Sequence, residues 1–150
     1  MGLRATGLLA RAAEAIMFST SILVDDEWIS PVYDHVHHGR ILSLFELARL
    51  GWVESIGFPN DELMEQGKLL VVTGVSVSYK REVKRGTISV TCDRVRIDGK
   101  TMRIAQRIVN ERNKVAVEAE VSLMFMDPDA RRGAEIPDDF RRALVRSLPD

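Results

Sequence analysis

Cysteine is almost missing from this 150-residue chain: Cys92 is the only one. No disulfide can form within the chain, and a reduced, cytoplasmic setting is expected. An excess of charge of either sign is missing too. Lys plus Arg number 21 against 22 Asp plus Glu, a formal net charge of -1, which gives no global field for nucleic acid or an anionic membrane. Long hydrophobic runs are lacking as well. The longest, around Leu69 to Val72 and Val121 to Met126, fall far short of the roughly 18 to 20 apolar residues that span a bilayer. Internal repeats, low-complexity segments and the Cys-x-x-Cys and His-Glu-x-x-His spacings of zinc sites are also absent, so no spacing signals a metal cofactor.

What is present has the proportions of one globular domain, 45% apolar and 29% charged. Leu8, Leu9, Ala12, Ala13 and Ile16 fall near helical spacing, so residues 1–16 are expected to form a helical extension and residues 17–150 the single domain. The start MGLRATGLLARAAEAIMF has an amphipathic, Arg-containing character, but Glu14 and the lack of a cleavage pattern favour an extension over a targeting segment. Phe18 to Val24 reads as a strand, and the acidic DDEW followed by Pro31 enforces an irregular link.

From Gly39 to Ile56 the residues Ile41, Phe45, Ala48, Trp52 and Ile56 recur at spacings of three and four, which predicts a helix with one apolar face, ended by Gly57 and Pro59. From Lys68 to Met126 the pattern alternates. Val71, Thr73, Val75, Val77 and Tyr79 are expected on one strand face, and Val115 to Phe125 supply another. Between them lie strands over Thr87–Ile97 and Thr101–Arg112, with Asp98-Gly99 as a two-residue hairpin signal. An antiparallel meander is expected, followed by a short amphipathic tail over Ile136–Ser147. The class is α+β: a curved antiparallel sheet of about five strands wrapped around one long central helix.

All three histidines, His35, His37 and His38, fall within four positions in PVYDHVHHGR, directly before that helix. An imidazole with an ordinary pKa near 6.5 suits proton transfer at neutral pH. A helix N-terminus offers N–H groups and the positive end of a dipole to a developing oxyanion, and glycine at Gly39 lets a carbonyl approach closely. Asp34 adds a base, a nucleophile or a partner that orients a histidine. The residues alone leave open acid/base histidines, metal ligands and a merely structural loop.

Asp34-His35-Val36-His37-His38, then Ile41-Leu42 and Phe45-Glu46-Leu47-Ala48-Arg49, resemble the motifs of hotdog-fold acyl-CoA thioesterases of the 4-hydroxybenzoyl-CoA thioesterase type. Those carry a loop aspartate, a segment such as Gly-His-Val-Asn-Asn, and a helix reading Tyr-Leu-x-x-Phe-Glu-x-Ala-Arg. The resemblance covers about residues 17–140 and implies hydrolysis of acyl-CoA to free acid and CoA. It implies catalytic roles for Asp34, His38 and Glu46, with His35, His37, Gly39 and Arg40 at the oxyanion and substrate. A CoA substrate needs cations for its phosphates, and Lys80, Arg81, Lys84 and Arg85 cluster near Gly86. One departure stands out: the family's aspartate aligns with Pro31, which cannot do that chemistry. The resemblance further implies a homodimer or dimer of dimers, because a lone sheet of this kind has open edges. Acyl carrier thioesters, a hotdog dehydratase and a non-catalytic acyl-thioester binding module are the alternatives.

Overall fold

The computed structural model describes residues 16–148, so the expected N-terminal extension lies outside the described residues apart from Ile16. The chain runs β1 (Phe18–Val24), α1 (His38–Ser55), α2 (Asn60–Glu65), β2 (Leu69–Tyr79), β3 (Gly86–Cys92), β4 (Arg94–Asp98), β5 (Thr101–Val109), β6 (Val115–Asp127), β7 (Arg132–Ala134) and α3 (Asp138–Ser147). One antiparallel sheet holds all seven strands, with the main order β1-β3-β5-β6-β2. β4 extends the pairing along β5, and β7 along β6.

The expected stripe buries α1 against this sheet: Ile41, Phe45, Ala48 and Trp52 are each at most 2% exposed, as is Leu44. The helix lies chiefly across β1 and β3. Gly51 permits the close approach, since a Cβ there would sit 2.7 Å from the Phe18 ring. The α1 backbone stands farther from β6 and β2, at the other end of the strand order.

Four details depart from the sequence expectation. The sheet has seven strands rather than five, because the stretch read as one strand over Thr87–Ile97 is divided around Asp93 into β3 and β4 and because Arg132–Ala134 adds β7. Asp93 N–H still donates to the Ala105 carbonyl of β5 at 2.7 Å, but between the pairs Val90–Ile108 and Arg94–Ala105 three residues face two, and at this irregularity the Asp93 carboxylate accepts two bonds from Arg107, at 2.7 and 3.0 Å. The sheet is not a simple meander: residues 80–85 carry the chain from edge strand β2 across to β3, which pairs with β1 and β5. The polar stretch before Gly67 holds the short helix α2. Finally, a bulge at Thr73 shifts the register between Val72 and Gly74. Gln106 bonds to the α1 backbone, so its partner Ala119 also faces the helix. By that register Leu70, Val72, Val75, Val77 and Tyr79 face the helix side, whereas Val71 faces away.

Burial pushes the Cys92 thiol up to about 12. At pH 8 only about one molecule in ten thousand then carries the thiolate. Iodoacetamide is expected to leave Cys92 untouched in the native protein and to modify it as denaturant unfolds the chain. Rapid native labelling would contradict this burial.

Candidate functional site at the N-terminus of α1

The link before α1 is a compact loop. A bridge pairs Ile29 with Val36, and Ser30 N–H donates to the His35 carbonyl at 3.0 Å. Val36 is buried, and its N–H donates to the Val83 carbonyl at 2.9 Å. These contacts fix where the three histidines stand.

Each imidazole has a different job. His37 is the N-cap of α1: its backbone is extended, and its ring Nδ1 accepts the Gly39 N–H at 3.0 Å. The lone pair is therefore on Nδ1 and, in the neutral ring, the proton is on Nε2. A Cβ at Gly39 would crowd that ring at 3.3 Å. His35 has the reverse tautomer. Its Nδ1 lies 2.9 Å from the Val36 carbonyl, which can only accept, so Nδ1 carries the proton and Nε2 the lone pair. That Nε2 lies 3.8 Å from Glu82, and the ring stacks on Tyr33. His38 is exposed, with its ring centroid 4.0 Å from that of His37 and edge-on to Tyr79.

The helix terminus offers fewer free donors than its four orphan positions suggest. Gly39 N–H donates to His37, and Arg40 and Ile41 N–H both turn back to the His37 carbonyl. The His38 N–H has no acceptor among the described residues. Tyr79 Oη donates to the His38 carbonyl at 3.0 Å and ties β2 to the first turn. His35, His38, Ile41, Tyr79 and Val83 line a hollow of about 320 Å³ at this end of α1.

Asp34 stands apart from it. Its carboxylate accepts from Arg85 at 2.5 Å, Asp26 accepts from the same guanidinium at 2.6 Å, and both line a separate hollow beside Pro31. The Arg85 hydrogen bond and charge hold the Asp34 carboxyl below the usual carboxylate range. Arg40 is likewise engaged, donating to the Glu27 carbonyl and lying over the Trp28 ring at 4.5 Å.

Glu46 projects two turns along α1, at the rim of another hollow of about 310 Å³ that also includes Arg49, Leu50, Val72 and Leu123. Of the basic cluster, Lys80 pairs with Glu118 at 3.6 Å, Lys84 with Glu82 at 3.7 Å, and Arg85 with Asp26 and Asp34. Arg81 has no carboxylate within 4 Å among the described residues. It lines both the histidine hollow and a neighbouring cleft of about 440 Å³ that contains Arg112. No group of three His, Cys, Asp or Glu able to hold a metal ion occurs among the described residues.

Sequence reading overlooked the buried pair Arg49 and Gln106, which are 9% and 1% exposed. Signals for both were present: Arg49 interrupts the apolar face of α1, and Gln106 takes an inward slot in the alternation Met102, Ile104, Gln106, Ile108.

A model of the thioesterase-like superfamily matches residues 24–144. A DHNA-CoA thioesterase from Staphylococcus aureus is similar in structure, with 21% identity, 86% of this chain and 89% of that one covered, and a TM-score of 0.79. A thioesterase from Thermus thermophilus, solved with coenzyme A and Zn, has 22% identity, 89% and 96% coverage and a TM-score of 0.75. The 1,4-dihydroxy-2-naphthoyl-CoA thioesterase of Synechocystis superposes with a TM-score of 0.77 at 14% identity, covering 85% of this chain and 95% of that one. At such identities the shared feature is the fold, the α+β hotdog arrangement of a curved antiparallel sheet around a helix. No curated protein matches the chain. No helix among the described residues is long and apolar enough to cross a membrane.

Proposed function

The chain belongs to the thioesterase-like superfamily, and from that premise we propose that it hydrolyses acyl-CoA thioesters to free acid and CoA at the α1 terminus, with no metal or organic cofactor. The observation that carries this reading is the hollow of about 320 Å³ in which His35 and His38 meet the first turn of α1. The His38 N–H and the helix dipole receive the thioester oxygen as it gains charge. The His38 ring takes a proton from water as the water oxygen bonds to the acyl carbon. The C–S bond then breaks, and the proton passes to the leaving sulfur to give CoA thiol and the acid. His35, with its Nε2 lone pair, holds or orients that water. Arg81, which borders both clefts, is the best placed cation of its cluster for a CoA phosphate. That the structurally similar proteins include CoA-bound and CoA-thioester-cleaving ones supports this substrate class.

Thiol release from short, long and aromatic acyl-CoAs tests the proposal, and intact thioester throughout would sink it. A second reading, a non-catalytic acyl-thioester binder, has one observation in its favour: Pro31 holds the aspartate position, and Asp34 is engaged by Arg85. Retention of bound, uncleaved acyl-CoA would select it.

The working unit we propose is a homodimer, alone or paired again. β2 is an edge strand, and its helix-side residues Val72, Val75 and Tyr79 remain 43 to 50% exposed. An edge of that kind calls for cover. Sedimentation is expected to give a dimer or larger species at micromolar concentration. A stable, active monomer would remove this claim.

A further inference from the structure

We propose that the hollow around Arg49 binds the distal carboxylate of a long acyl chain, making ω-carboxy acyl thioesters the substrate class; this rests on the thioester reading above. Arg49 is 9% exposed, yet no carboxylate lies within 4 Å of it among the described residues. Its one hydrogen bond goes to a neutral acceptor, Gln106 Oε1, at 3.0 Å. Gln106 is locked in that orientation, because its Nε2 donates to the carbonyls of Phe45 and Thr91 at 3.1 and 3.2 Å. A buried guanidinium matched by one amide oxygen is short of counter-charge, and an enclosed ion is costly unless paired.

The unpaired donors of Arg49 are not sealed in. Among the described residues the one fully enclosed side-chain polar atom without a partner is Trp52 Nε1. The remaining Arg49 N–H groups are therefore not fully enclosed, and Arg49 lines a hollow. Leu50, Val53, Leu70, Val72 and Leu123 make that hollow mostly apolar, with Asn60 and the Glu46 carboxylate also in its lining. An apolar hollow with a single buried cation fits an acyl chain that ends in an anion. Glu46 lies close enough to favour the charged form of Arg49, but it does not contact it.

Tyr79 borders the histidine hollow, Val72 borders the Arg49 hollow, and Val75 stands between them on the helix-side face of β2, so an acyl chain that reaches both hollows lies along that face, beneath the second copy of the dimer proposed above. His38 and Arg49 are eleven residues apart on one helix, or roughly 16 Å at 1.5 Å per residue. That span suits a long-chain acid rather than a short one.

The test compares a long-chain α,ω-dicarboxylic mono-CoA thioester with its ω-methyl ester in the wild type and in Arg49→Met. The wild type is expected to prefer the acid by about 10- to 100-fold in kcat/KM, the range of a charged hydrogen-bonded pair. Arg49→Met should abolish the preference, and Arg49→Lys should retain part of it. Equal cleavage of acid and ester by the wild type overturns the proposal without any variant. So does a wild type without preference whose Arg49→Met variant dissociates to monomers, because the counter-ion would then come from a second copy. Where no thioester is cleaved, displacement of a fluorescent fatty-acid probe by the free diacid and by its diester decides the matter. Tighter binding of the diacid upholds the subsite while the hydrolase reading fails, and equal binding removes both.

Discussion

Replacing His38 by alanine is expected to lower kcat about 10²- to 10⁴-fold while KM changes little. Proton transfer is an interaction made only in the transition state, so its loss should leave ground-state binding almost intact. The geometry singles out His38 among the three rings. His37 has its basic nitrogen occupied by the Gly39 N–H, and His35 keeps its free nitrogen near Glu82 with its other nitrogen bonded to backbone. His35→Ala and His37→Ala should therefore be milder, with the His37 variant losing about 1 kcal/mol of stability through its cap. Asp34→Asn tests the competing base. Its carboxylate lines another hollow and is hydrogen-bonded to Arg85, so turnover should stay close to wild type. A large kcat loss in Asp34→Asn, with His38→Ala fully active, would transfer the role to Asp34 and imply a rearranged loop. Full activity in both would pass it to Glu46.

Phe140→Ala should cost about 3 to 5 kcal/mol of folding stability, the usual range for emptying a buried aromatic site. Phe140 is fully buried, with its ring edge-on to Trp52, Phe58 and Phe125 at centroid distances of 6.3, 5.1 and 5.0 Å. α3 thus closes the end of the core where α1, the link at Phe58 and β6 meet. Asp138 and Asp139 in its first turn suit the positive end of its dipole. Removing the Phe140 ring takes away the member that all three of these ring contacts share. Chemical denaturation should show a lower midpoint with an unchanged slope. A loss below about 1 kcal/mol would mean that α3 is not part of the cooperative unit.

The parts of this fold that read directly from sequence are those with a strict period. The helical spacing of Ile41, Phe45, Ala48 and Trp52 and the alternation from Val115 to Phe125 each correspond to a buried face. What escaped notice depends on single residues whose partners are distant in the chain. The stretch over Thr87–Ile97 divides near Asp93 because three of its residues face two on β5. The crossover over residues 80–85 leaves no periodic trace, because strand neighbours are chosen by tertiary packing. For the site, the clustering of histidines before a helix was legible, and so was their address at its first turn. Their division of labour was not, because a tautomer is set by whichever backbone group lies opposite each ring nitrogen. Nor did the sequence reveal that the cations near Gly86 pair mostly with Glu82, Glu118, Asp26 and Asp34.

The bulge at Thr73 bears on how this chain can change in length. β2 is written in two frames: Leu70 and Val72 turn inward on even numbers, while Val75, Val77 and Tyr79 do so on odd ones. Loss or gain of one residue anywhere else in the strand would turn inside out every side chain between that point and the next correction. Excision of one residue between Val72 and Val75 merges the two frames and leaves each inward residue inward, giving up, where Thr73 is the one lost, its bond to the Ser122 carbonyl and the local twist that the extra residue adds. Descendants of this sequence are thus free to shorten β2 at one place, and the apolar track beneath the hollows is inherited whole only when they use it.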